Sequence, residues 1–137
     1  MSHALSFTHP TSVRRGRSGV IALWVVQIAL GGMFLLAGGS KLLGAPAMVT
    51  LFNTIGVGQW FRYVTGIIEV GSAIALLVPS TAVFGALLLV PTMIGAVTTE
   101  LFIVGDPAIP PAVLLVGAIG VVWARRDQLF SARSIAR

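Results

Sequence analysis

The chain of 137 residues is 56% hydrophobic and 9% charged, and because soluble domains carry about a quarter charged residues, a water-soluble fold is excluded. Nine Lys and Arg against four Asp and Glu give a net charge of +5, with the basic excess in the two tails, so the folded basic surface that a nucleic-acid partner needs is missing. There is no cysteine, which excludes disulfides, thiolate metal sites, c-type haem attachment and thiol redox chemistry.

Residues 1–19 read as a disordered cytoplasmic leader. It contains the two histidines of the chain, His3 and His9, near Pro10, Thr11 and Ser12, which excludes histidine-ligated haem or copper within the apolar part of the chain. The first span is expected over residues 20–40, long enough at about 1.5 Å per residue to cross a hydrocarbon core of about 30 Å. Arg14, Arg15 and Arg17 before it and Ala37-Gly38-Gly39 at its end resemble a signal peptide. The apolar run is too long for one, however, and further spans follow, so a retained helix is expected.

After Lys41, Gly44-Ala45-Pro46 and Gly56-Val57-Gly58 bracket Met48, Leu51, Phe52 and Ile55, which share one helix face. Pro46 suits a first helical turn and Gly56 a stop. This pattern predicts a short interfacial helix in the first outer loop. The second span, residues 60–78, opens on Trp60, Phe61, Arg62 and Tyr63, an aromatic and basic group typical of the membrane surface. The third, 82–104, contains Pro91, which removes a backbone hydrogen bond and favours a kink. The fourth, 109–124, is the shortest and calls for local thinning or snorkelling. Residues 127–137 form a cytoplasmic tail.

The expected fold class is therefore all-α, an integral-membrane four-helix bundle in a single domain, residues 20–126. Arg14, Arg15, Arg17, Arg125, Arg126 and Arg133 flank one side of the spans, and Lys41 and Arg62 the other. By the positive-inside rule both termini are cytoplasmic, in the inner membrane of the cell.

Helical spacing aligns Gln27, Gly31, Phe34, Gly38 and Lys41 in the first span, Arg62, Thr65, Glu69 and Ser72 in the second, and Thr92, Ala96 and Thr99 before Glu100 in the third. Small and polar residues at these positions turn inward, where they allow close helix packing. Lys41, Arg62, Glu69 and Glu100 fall in the outer third of the membrane, where an unpaired charge is costly. Glu69 is expected to pair with Lys41 or Arg62, or to be protonated. Two readings follow: an ion-pair clasp that fixes the bundle, or an outer polar pocket of Lys41, Arg62, Glu69 and Glu100 beneath Trp60 and Tyr63 that binds a small ligand or a partner. No metal-ligating cluster and no catalytic motif is legible.

Four segments in order resemble the DoxX-like family of small bacterial membrane proteins: Gly32-Met33-Phe34-Leu35-Leu36-Ala37-Gly38-Gly39-Ser40-Lys41-Leu42, then Trp60-Phe61-Arg62-Tyr63-Val64-Thr65-Gly66 with Glu69-Val70, then Gly85-Ala86-Leu87-Leu88-Leu89 and Met93-Ile94-Gly95-Ala96. The resemblance covers nearly everything from Val20 to Arg126, and implies four spans in a fold shared with related eukaryotic membrane proteins. One departure concerns Thr99-Glu100-Leu101, where the family pattern often carries Thr-His-Leu. A group titratable near neutrality is there replaced by an anionic one, unless Lys41 compensates. Some relatives resemble subunits of quinone-linked sulfur oxidation or of membrane oxidoreductase assemblies. The chain holds no cofactor of its own, so the resemblance implies a bound quinone or a partner as the source of any redox chemistry.

The leading expectation is a non-enzymatic accessory or subunit of a membrane assembly, in contact with membrane lipids and with a membrane-protein partner or further copies of itself. The alternative is a quinone- or lipophile-binding component of a membrane oxidoreductase system. A small transporter ranks third, because four short spans leave little room for alternating access without dimerisation.

Overall fold

The computed structural model describes residues 16–135, which form helices and turns and contain no strand. The leader up to residue 15, with His3, His9, Arg14 and Arg15, lies outside the described residues. Helix α1 (Arg17–Leu42), α2 (Pro46–Ile55), α3 (Gln59–Leu77), α4 (Ala82–Thr99), α5 (Ile109–Ala124) and α6 (Asp127–Ile135) follow in order, with a π-helical segment, Glu100–Val104, continuing α4. Three stretches are long and apolar enough to cross a membrane: α1, α3 and α4 with its π-helical continuation. Helix α5 has 16 residues, about 24 Å at 1.5 Å per residue.

The elements differ from the sequence reading at both ends. Arg17, Ser18 and Gly19, assigned above to the leader, already belong to α1, because a polar turn extends a helix beyond the apolar stretch when nothing in it breaks the backbone. Residues 127–135, read as a tail, form α6. Gln128 attaches it to the α3–α4 turn, its Nε2 donating to Pro79 O at 2.6 Å.

Helix α1 packs on α3, α3 on α4, α4 on α5 and α5 on α1, while α2 rests on α3, α1 and the π-helical segment. Glycines set the close crossings. A Cβ on Gly38 would stand 2.9 Å from Gly66 O, and one on Gly85 would stand 2.5 Å from Ser72 O, so α1–α3 and α3–α4 touch backbone to backbone. Between these crossings Leu30, Phe34, Ala73, Leu76, Leu89 and Met93 form the buried core. The outward faces are apolar as well, with Leu36 at 74% and Phe102 at 81% exposure, as hydrocarbon rather than water requires.

The chain breaks between elements follow local rules. At the end of α1, Gly44 takes φ +71°, while Gly44 N donates to Lys41 O and Ala45 N to Ser40 O, a Schellman closure. Pro46 then starts α2, and Gly56 at φ +79° stops it.

Candidate functional site

A cavity of about 570 Å³ lies between α1, α3, α4 and α5, with α2 along its wall. Ligand sites of drug-like molecules measure about 300 to 1,000 Å³. Phe34, Met48, Phe52, Phe61, Ile68, Met93 and Leu114 supply apolar walls, and Lys41, Thr65, Glu69, Thr99 and Glu100 supply the polar part.

Glu69 reaches this wall because α3 turns the Arg62, Thr65, Glu69, Ser72 line toward the interior, with Arg62, Glu69 and Ser72 buried. Its carboxylate is held by one side chain. Lys41 Nζ donates to Oε1 at 2.9 Å and Oε2 at 2.7 Å, and the two side chains are only 14% and 3% exposed for Lys41 and Glu69. Lys41 sits in the last turn of α1, where its charge also complements the negative end of the helix.

Of the two partners open to Glu69, the structure uses Lys41. Arg62, 4% exposed, is engaged elsewhere: Nη1 donates to Lys41 O, Nε donates to Gln59 Oε1 at 2.7 Å, and the guanidinium lies 4.4 Å from the Tyr63 ring centre. It thus caps the carbonyl end of α1 from a neighbouring helix. Gln59 passes the connection on to α2, its Nε2 donating to Asn53 Oδ1 at 2.7 Å and to Val49 O at 3.0 Å. A hydrogen-bonded chain therefore runs from the backbone of Lys41 to the helix that walls the cavity.

Lys41, Glu69 and Glu100 come together on the cavity wall, whereas Arg62, Trp60 and Tyr63 do not line it. Trp60 is 61% exposed and donates its indole N–H to Val57 O. Glu100 opens the π-helical segment and accepts no side-chain or backbone hydrogen bond to its carboxylate among the described residues. The hydroxyls of Thr65 and Thr92 are spent on carbonyls of their own helices, as single-helix spacing allows.

A second polar layer lies at the opposite end of the helices; helical spacing puts its Gln27 on the inward face of the first span, but does not identify its partners. Gln27, fully buried, donates to Leu76 O at 2.8 Å and accepts from Arg125 Nε at 3.0 Å and Nη2 at 2.7 Å. Helices α1 and α3 therefore cap each other: Arg62 of α3 serves the end of α1, and Gln27 of α1 serves the end of α3. The signal available in the sequence was a lone amide in an apolar span, which reads equally well as a helix contact.

The sequence profile of the DoxX-like family matches residues 25–124. No curated protein and no solved structure matches the chain. The matched segment contains the cavity, α2, the Lys41–Glu69 pair and Gln27, and stops one residue before Arg125.

Proposed function

The chain belongs to the DoxX-like family and is a membrane protein, and from that premise we propose that it is a non-catalytic subunit or accessory of a membrane assembly whose cavity holds a lipophilic molecule with a polar head. In this reading α1, α3, α4 with its π-helical continuation, and α5 cross the inner membrane as a four-helix bundle. Both termini face the cytoplasm, and α2 lies in the outer interface.

The observation that carries the reading is the cavity itself: a largely apolar space between the helices with charged side chains at one end. Close packing leaves few such spaces in a protein interior, and a site of this size and two-part chemistry suits an amphiphile. A membrane-protein partner would supply the catalytic groups that this sequence lacks.

A quinone is the second reading for the occupant. Lys41 Nζ gives two N–H groups to Glu69 and keeps the third, which suits one carbonyl oxygen of a quinone, and the apolar walls suit its ring and tail. A bound quinone supplies two-electron redox chemistry, while this chain binds and orients it.

Organic extraction of the purified protein, compared with extraction of the membranes it came from, tests the proposal. Strong enrichment of one lipophile is expected, and enrichment of a quinone selects the second reading. Phospholipids alone, in their membrane proportions, contradict the proposal.

A further inference from the structure

We infer that the cavity selects a lipophile with a positively charged, hydrogen-bond-donating head, an alkylammonium in chemical terms, seated at Glu100 and the Lys41–Glu69 pair. The inference deepens the lipophile reading and rests on it.

The polar end of the cavity carries one ammonium, Lys41, and two carboxylates, Glu69 and Glu100. Lys41 occupies both oxygens of Glu69, so that pair is neutral as a unit. The Glu100 carboxyl accepts no hydrogen bond from a donor among the described residues, and the charges that act on it are those of Asp106 and Lys41. The other cation of this end, Arg62, is bound to Lys41 O and Gln59 Oε1 and does not line the cavity. Acceptors therefore outnumber donors where the head of an amphiphile must sit.

Candidate heads differ in how they meet that surplus. A quinone brings acceptors only: it can use the spare Lys41 N–H but leaves Glu100 facing nothing that donates. A carboxylate adds a third negative charge. A hydroxyl satisfies one acceptor without charge. An ammonium donates to Glu100 in a charge-assisted hydrogen bond, the stronger kind, and reduces the negative charge of the polar end.

The test uses the full chain in lipid nanodiscs, with radiolabelled decylammonium as probe, protein-free nanodiscs as the baseline, and decanol, decanoate and a decyl-substituted quinone as competitors. Two variants accompany the wild type. Glu100→Gln removes the charge while keeping the shape. Gly95→Phe adds a ring at a lining position where an added Cβ meets nothing within 4 Å, to compete for the space of the cavity. Decylammonium is expected to bind the wild type at least about tenfold more tightly than any competitor. Glu100→Gln should bring it down to the level of decanol, and Gly95→Phe should abolish binding. If decanol or the quinone competes as well as decylammonium, or Glu100→Gln leaves the preference intact, cation selection is wrong while the lipophile reading survives. If nothing binds above the baseline, or Gly95→Phe changes nothing, both are wrong.

Discussion

At the scale of single residues, the Lys41–Glu69 pair is the feature with the largest energetic consequence. Glu69 is buried and Lys41 half-buried, so removing Lys41 leaves an uncompensated charge at a cost of up to about 3 to 5 kcal/mol, while replacing the pair with apolar residues is often nearly neutral. Thermal unfolding in detergent of Glu69→Leu, Lys41→Met and the double variant should therefore show two large single losses and a double loss far below their sum. Glu69→Leu combined with Arg62→Met should be close to additive, because Arg62 bonds to a carbonyl and to Gln59 rather than to Glu69. Additive losses for Glu69 and Lys41 contradict the pairing. Spacing alone made the inward position of Glu69 legible, but not the choice between its two cations. That choice depends on a backbone carbonyl, Lys41 O, which attracts Arg62 and leaves no trace in the side-chain pattern. Trp60 and Tyr63 marked the interface by type, yet type does not tell a pocket wall from a lipid-facing ring.

At the scale of elements, glycine spacing foretold helix contact without telling which glycines carry it. A Cβ on Gly85 meets the backbone of α3, Ser72 O at 2.5 Å and Leu76 N at 2.7 Å, whereas one on Gly31 meets the mobile end of Leu77, and one on Gly71 meets nothing within 4 Å. Gly85→Ala is accordingly expected to lose about 1 to 3 kcal/mol through overpacking, and Gly31→Ala less. Gly71→Ala should be neutral or gain up to about 1 kcal/mol from helix propensity. Thermal melts of the three variants in one detergent check the order, and a harmless Gly85→Ala contradicts the crossing. Gln27→Leu strips Leu76 O of its buried donor and Arg125 of an acceptor, so a loss of about 1 to 3 kcal/mol is expected. A melting temperature equal to wild type contradicts the mutual capping of α1 and α3. Helix α2 could be read from Pro46, Gly56 and its apolar face. Helix α6 could not, because it has no apolar run to mark it, and Gln128 bonds to a turn that is distant in sequence.

At the scale of the whole molecule, the apolar runs and the family pattern carried the all-helical, membrane character, and spacing suggested a pocket near Lys41, Glu69 and Glu100, while its apolar walls were invisible because a space is a property of several helices at once. The proposed four crossings are open to a clean test, since the chain has no cysteine of its own. Single cysteines at Val57 and Asp106 should react with an impermeant maleimide on intact cells, and those at Ser80 and Phe130 only after permeabilisation. Labelling of Ser80→Cys on intact cells contradicts the arrangement. The central claim, that the cavity is a binding site for a lipophile, is met most directly by a crystal structure grown from a lipidic mesophase. The expected result is continuous elongated density with its polar end at Lys41, Glu69 and Glu100 and its body between Met48, Met93 and Leu114. A collapsed cavity, with Phe34 and Met93 closing the space and no density within it, contradicts the account.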